Sequence, residues 1–334
     1  MVSSTDPPVA MAVARASSTA VAAGARPPQA PPLRRPRGLR RKLELTLLLG
    51  PALALFVGFV LAPIGIAIYY SLYNWSGFGP LSDFVGVHNY KLALSDPVFR
   101  SAIAHNLTLA ALSVIIQLPI SIGLAMLLNR RTRGRSLLRL IVFAPYVLSE
   151  ATTAVIWSLM LQPGGFVDQF LKAAGLGGLV HLWLADPNIV LYTLFIVITW
   201  KYVGFGIILL LAGLQGIPAE LHEAAALDGA SWWQTTRRIV LPLLGPTIRI
   251  WAFLAIVGSL QLFDVVWIMT GGGPANVSVT MATYLINRGF QSYEFGYASA
   301  IAVILFIICF VFSLAYQRFA LRRDTRGALT RAVG

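Results

Sequence analysis

Few side chains in this 334-residue chain are equipped for bond-making chemistry, and their spacing does not assemble them. The four histidines, His88, His105, His181 and His222, lie in separate segments with no H-E-x-x-H or other paired metal spacing. The single cysteine, Cys309, falls in an apolar run, so no disulfide within the chain, thiolate metal cluster or redox pair can be built. A G-x-x-x-x-G-K-[ST] loop for nucleotide phosphates is missing from the sequence. Neither a cofactor nor a metal is implied. What stand out are three ionisable residues set inside long apolar runs: Glu150, Lys201 and Asp264. A charge near the middle of a bilayer costs roughly 2.5–3.5 kcal/mol on insertion scales, so each needs a partner or a role. Two readings stay open. Lys201 is held in a buried pair by Glu150 or Asp264, or these groups face a path for a polar solute. Buried carboxylates would also be the starting point for an intramembrane enzyme, a different class of function that turnover by the isolated chain would reveal.

The elements that must position these groups follow from composition. Hydrophobic residues make up 57% of the chain and charged residues only 12%, which no ordinary soluble globule matches. The apolar residues gather into six blocks, at about 45–72, 103–128, 138–162, 189–213, 248–270 and 296–317. Each has the roughly 20 residues that an α-helix needs to span about 30 Å of hydrocarbon. The predicted fold class is an all-α polytopic membrane protein with six transmembrane helices. The net charge of +13 does not form a basic face for nucleic acid. Of the 26 Lys and Arg, eight precede the first block, five lie at 130–139, three at 237–249 and five from Arg318 onward. Positive residues mark cytoplasmic segments, which places both termini and the 214–247 connection in the cytoplasm. Tyr69, Tyr70, Tyr73 and Trp75 fit an aromatic belt at the outer end of the first span. Residues 1–42 are rich in Ala, Pro, Ser and Arg and read as a disordered basic tail, and 318–334 as a second basic tail. The first block is too long for a signal sequence and reads as a retained span, leading into an external loop that completes a segment 43–102.

The connection between the fourth and fifth blocks is longer than a hairpin requires, and it carries EAAALDGASWWQTTRRIVLPLLGP over 223–246. Pro218 suits a helix start, and Glu223, Ala224, Ala225 and Leu227 are strong helix formers. Gly229 can take positive φ and turn the chain. A second helical segment runs from about Ser231 toward Pro242, whose missing N–H predicts an end to the helix. The expected product is two short helices at an angle on the cytoplasmic face. Physics alone leaves two uses for it, an amphipathic loop resting on the bilayer or a knob that engages a partner.

Glu223, Ala224 and Ala225, Gly229 four residues after the second alanine, and Ile239, Leu241 and Pro242 after nine more, complete the pattern E-A-A-x3-G-x9-I-x-L-P. This resembles the EAA signature of permease subunits of binding-protein-dependent type I ABC importers. FVGVHNYKLALSDPVF (84–99), LIVFAPYVLSEATTAVIWSLMLQP (140–163) and TGGGPANVSVTMATYL (270–285) resemble the same family, in its sugar-type branch, the half similar to the first permease of maltose and glycerol-phosphate importers. The likeness covers roughly 44–320 and leaves the N-terminal tail without a role. It implies a type I permease fold, a transmembrane domain over 103–317 with its coupling loop at 218–245, and a multi-pass place in a bacterial cell membrane among lipid. The implied partners are a second, homologous permease, a cytoplasmic ATPase dimer and an extracytoplasmic solute-binding protein. This chain would transport rather than catalyse, ATP being hydrolysed by the separate subunit. The EAA loop would dock in the ATPase, with Glu223, Ala225 and Gly229 at the centre of the contact.

In the maltose-type family, pocket residues come from the middle of the helices flanking the EAA loop. Counting from the EAA and GGP landmarks carries those positions to Tyr202 and Phe205, and to Gly258, Ser259 and Leu262. Rings stack on sugar faces and hydroxyls bond hydroxyls, so Tyr202, Phe205 and Ser259 suit a mono- or oligosaccharide, while core packing remains the alternative for Phe205. Glycerol phosphate is the second substrate reading, with Lys201 as its one cation. On a helix Gln261 and Asp264 share a stripe that lies well away from Ser259 and would face the partner subunit or another helix. The charge asymmetry makes a direct prediction about orientation. With Cys309→Ala as background, a cysteine at Ser82 should react with an impermeant thiol reagent from outside and one at Ser231 should not; the reverse pattern overturns the topology.

Overall fold

The computed structural model describes residues 38–129 and 134–321; the expected tail 1–42, apart from the helical backbone from Gly38, and most of 318–334 lie outside the described residues. The chain falls into two compact units, 1–57 and 58–334. In the first, the described part is helix α1 (Gly38–Phe56), which carries Pro51. The second holds α2 (Ala62–Tyr70), α3 (His88–Ser95), α4 (Pro97–Leu112), α5 (Leu118–Asn129), α6 (Arg135–Val147), α7 (Glu150–Met160), α8 (Phe166–Ala173) and α9 (Val190–Gln215). It continues with α10 (Ala219–Leu227), α11 (Trp232–Thr235), α12 (Leu241–Leu260), α13 (Asp264–Met269), α14 (Met281–Ile286) and α15 (Phe295–Tyr316). Among the described residues the only β pairing is a single bridge between Tyr73 and Phe84.

Five stretches are long and apolar enough to cross a membrane: Leu45–Tyr70, Pro97–Asn129, Val190–Gln215, Trp232–Leu260 and Phe295–Ala320. The block at 138–162, expected as one straight span, is instead a pair of helices bent by 100°. Pro145 lies inside α6 near its end and cannot donate a backbone hydrogen bond. Leu148 and Ser149 then run extended, and the Ser149 hydroxyl accepts from the Thr152 N–H at 3.1 Å, a cap that starts α7 afresh. The fifth block also departs from expectation at both ends. Helix continues from Trp232 through Pro242 to Leu260, because a π-helical turn at Thr236–Val240 precedes the proline and leaves it in the first turn of α12. A π turn shifts the hydrogen-bond register by one residue, so the ladder accommodates a ring that would break a regular helix. At the other end, 261–263 are not helical and α13 begins anew at Asp264.

That second break is stitched from a distance. The side chain of Asn106, on α4 and fully buried, donates to the carbonyls of Ser259 (2.7 Å) and Leu260 (3.3 Å) and accepts from the Met281 N–H (2.9 Å). The buried Thr280 hydroxyl donates to the Leu262 carbonyl at 2.8 Å. One amide thus closes the end of α12 and the start of α14, where no water is at hand to do it. The residues of the FVGVHNY stretch do similar work on the turn after α2: Asn89 donates to the carbonyls of Ser71 and Tyr73, both at 2.9 Å, and the Tyr90 hydroxyl lies 2.6 Å from that of Ser71. The expected aromatic belt forms around this turn, with Tyr69 on Tyr73 and Tyr70 on Trp75 at centroid separations of 5.1 and 4.6 Å.

Helix α9 is the hub, buried along much of its length and packed on α5, α6 and α12. Small residues let its neighbours close in, as membrane helices require when no hydrophobic drive brings them together. A Cβ on Gly204 would stand 2.5 Å from the Val142 carbonyl of α6, and one on Gly206 would stand 2.5 Å from the Trp251 indole of α12. The indole therefore reaches its place only because residue 206 has no side chain. Replacing Asn106 with Leu should leave carbonyls and the Met281 N–H without partners, at about 1–3 kcal/mol for each buried group. Thermal unfolding of the purified permease complex is expected to fall clearly in Asn106→Leu and to stay near wild type for the exposed control Ile115→Ala; equal melting temperatures would remove Asn106 from this role.

Candidate functional site

The bend between α6 and α7 and the break after α12 face a common cavity of about 340 Å³. Tyr202, Phe205, Gly258, Ser259 and Leu262 all border it, as do Glu150 and Asp264. So does Gln261, against the helical-wheel expectation that sent Gln261 and Asp264 elsewhere. The wheel failed because α12 ends at Leu260, and the change of direction brings both residues round to the side of Ser259.

One wall is aromatic. Tyr146 stacks on Phe205 at 5.0 Å, and Phe205 meets Trp251 edge-on at 5.6 Å. Tyr202 donates its phenol hydrogen to Glu150. Ser259 donates to the Ala255 carbonyl at 2.8 Å and lies 3.2 Å from the Ser113 hydroxyl, which belongs to a π turn at Ser113–Gln117. Sequence reasoning missed Gln117, Tyr146 and Trp251. A glutamine in an apolar helix was a signal that could have been used; Trp251 had none before the contact with Gly206 was known.

Lys201 occupies a different place from the one expected. Its side chain is 3% exposed, does not border the cavity and donates to the Leu148 carbonyl at 2.6 Å. Among the described residues neither Glu150 nor Asp264 lies within ion-pair distance of it. The bend explains this: extended backbone at Leu148 frees a carbonyl at the negative end of α6, which an ammonium satisfies while complementing the helix dipole. Glu150 feels Lys201 through space; its direct partners are Tyr202, which donates to it, and Asp264, with which it shares a hydrogen bond.

The loop at 218–245 is built from interlocking caps. Gly229 has φ +70°, its N–H bonds the Ala226 carbonyl at 3.1 Å, and the Ala230 N–H reaches back to Ala225 at 2.9 Å. These paired bonds form a Schellman ending for α10. The next residue, Ser231, opens α11 with a reciprocal capping box to Gln234, so scarcely a residue between the helices is unconstrained. Ala225 is 5% exposed and packs inward, which corrects its expected place at the centre of a contact surface. Glu223, Ala224, Leu227, Gly229, Trp232 and Trp233 are among the exposed residues; Ile239 and Leu241 are half-buried on the way into α12, and Pro242 is exposed.

At the opposite end of the bundle, Asp96 caps α4, accepting from the Val98 N–H at 2.8 Å, and gathers Tyr284, Tyr297 at 3.2 Å and Arg288 at 3.6 Å. Burial pushes its carboxyl up, but the Tyr284 phenol, the backbone N–H groups of Val98 and Phe99, and Tyr297 together hold it below the usual carboxylate value. The cluster ties α4, α14 and α15 together outside the spans.

With this geometry in view, comparison with known proteins is informative. Residues 117–325 match the family described as the inner membrane component of binding-protein-dependent transport systems. A probable ABC transporter permease protein of Pyrococcus horikoshii is 36% identical over 293 residues, covering 86% of this chain and all of that protein. The diacetylchitobiose uptake system permease protein NgcF of Streptomyces coelicolor is 34% identical over 313 residues, 88% of each chain. The crystal structure of a bacterial ABC transporter involved in import of the acidic polysaccharide alginate matches with a TM-score of 0.74 and 26% identity, over 85% of this chain and 97% of that one. The bent and broken helices described above are thus those of a multi-pass transport subunit, and the chain belongs to the family of inner membrane components of binding-protein-dependent transport systems.

Proposed function

We propose that this chain is one permease of an ATP-driven importer for a di- or oligosaccharide, working with a second homologous permease, a cytoplasmic ATPase pair and an extracytoplasmic solute-binding protein. The observation that carries the reading is a cavity among the apolar helices where rings, hydroxyls and carboxylates converge, in a chain similar to a diacetylchitobiose permease. The lining rings of Tyr146, Tyr202 and Phe205 offer apolar surface to a pyranose, and Ser113, Ser259 and Gln261 offer hydrogen bonds. Glycerol phosphate fits less well, because none of the residues bordering the cavity is Lys, Arg or His.

The loop supplies the coupling. The exposed Leu227, Trp232 and Trp233 form its apolar tip and Glu223 its acidic flank, a surface suited to a cleft on the ATPase. α11 does not stop at Pro242: Trp232–Leu260 is one helical run of 29 residues, about 43 Å at the usual rise. A displacement at Trp232 is therefore passed along a single rod to Gly258 and Ser259 at the cavity. ATP-driven closure of the ATPases pulls this rod and switches the cavity between the two sides of the membrane.

Gly229→Pro imposes a negative φ where +70° is needed and removes the N–H that closes α10, and Glu223→Lys inverts the charge of the exposed flank. In cells that depend on this importer, both variants should reach the membrane yet lose uptake of the oligosaccharide that supports growth, found by screening maltose, trehalose, cellobiose and diacetylchitobiose. Normal uptake together with normal copurification of the ATPase in both variants would sink the coupling assignment. Growth on all four sugars that is indifferent to deletion of the gene would count against the saccharide.

A further inference from the structure

The cavity has a sign. Glu150 and Asp264 border it, and among its lining residues there is no cationic side chain. Lys201, the cation at that depth, donates to the Leu148 carbonyl, lies 5.6 Å from the centre of the Tyr202 ring and does not border the cavity. Both carboxylates stand in the first turn of a helix, Glu150 opening α7 and Asp264 opening α13, and these two helices pack against each other. Tyr202 satisfies one oxygen of Glu150, which still leaves acceptor capacity in the pair.

A second observation points to a ligand independently of the acids. The Nε2 of Gln117 is a buried donor without a hydrogen-bond partner, on a residue only 2% exposed that lines this cavity. A donor left unpaired at that depth is costly unless something periodically bonds it. It calls for an acceptor without a charge requirement, such as a sugar hydroxyl or an acetamido carbonyl. The acids call for hydroxyl or ammonium hydrogens.

We propose that Glu150 and Asp264 make this cavity a charge filter, which accepts neutral or amine-bearing saccharides through Gln117 and rejects uronates, sugar phosphates and sugar sulfonates. The inference rests on the saccharide reading above and narrows it. Fold alone does not decide the matter, since the solved transporter of similar architecture is one involved in import of an acidic polysaccharide. The physical reason is that an anion brought beside two carboxylates away from bulk water meets a repulsion that solvent no longer screens.

The test measures binding to the purified permease pair with its ATPase and without the solute-binding protein, so that the cavity's own preference is read. Three disaccharide probes are titrated by thermal shift at pH 6.5: diacetylchitobiose, de-acetylated chitobiose and a glucuronate-containing disaccharide. The neutral and amine probes are expected to stabilise the complex at concentrations on the order of tenfold or more below any effect of the uronate. Glu150→Gln with Asp264→Asn should raise the uronate's apparent affinity toward that of the neutral sugar and remove any advantage of the amine. Gln117→Leu should weaken all three probes alike. Should the double variant not assemble, Asp264→Asn alone carries the test, since Asp264 is not the residue that Tyr202 holds. Equal binding of uronate and neutral sugar by the unaltered complex, or an unchanged ratio in the variants, overturns the filter and leaves the saccharide reading standing. Failure of all three probes to bind overturns both.

Discussion

The hydrogen bonds of one buried amide hold the architecture that everything else uses. A helix that stops among apolar neighbours leaves carbonyls facing hydrocarbon or protein, with water excluded, and such a stop survives only where side chains replace the lost ladder. Asn106 does so for the end of α12 and the start of α14 at once, reaching Ser259 across 153 positions of sequence. With the break held open, Gln261 and Asp264 turn toward Ser259 and the cavity acquires its polar wall. A straight helix through 261–263 would have carried them off to another face. The same principle shapes the opposite wall, where Lys201 answers the carbonyl exposed by the bend at Leu148.

In the proposed coupling, rigidity at the loop and irregularity at the cavity serve one purpose. Gly229 and Ser231 cap consecutive helices with one residue between them, so little compliance is left to absorb a push. The π turn at Thr236–Val240 keeps the run continuous past Pro242 and lets the push travel. At the far end of that run Gly258 and Ser259 adjoin the break, where the chain is free to change direction. In this account force is conducted where the backbone is regular and converted where it is not. The aromatic wall depends on a further accommodation, since the Trp251 indole lies where a side chain on residue 206 would be.

Much of this was legible in the residues and some was not, for physical reasons. Hydropathy located the spans because bilayer crossing demands length and apolarity and little else. The loop was readable because its devices are local: a glycine at positive φ, then a serine cap. The bend in the third span carried local signals too, Pro145 and Ser149, which the apolar run around them masked. Pro242 misled, because a π turn shifts the hydrogen-bond register without any mark in the sequence. The break at 261–263 contains neither glycine nor proline and is specified from Asn106 and Thr280, partners that no local window includes. The helical wheel through Asp264 failed for that reason; Lys201 makes no direct ion pair with either carboxylate because the bend at Leu148 offers its ammonium a carbonyl instead.

Transport by this chain requires a solute to pass through the cavity beside the break in α12. Gly258 borders that cavity, and a Cβ added to it would meet nothing within 4 Å, so a cysteine fits there without distortion. In the assembled importer carrying Cys309→Ala and Gly258→Cys, reaction of the new thiol with a small hydrophilic methanethiosulfonate is the direct measurement. The thiol should react, and the transported sugar, supplied with its binding protein and ATP, should slow that reaction. A thiol that is inert in every state of the transport cycle, or one whose rate ignores the sugar while uptake proceeds, would place the solute's path elsewhere and contradict the account.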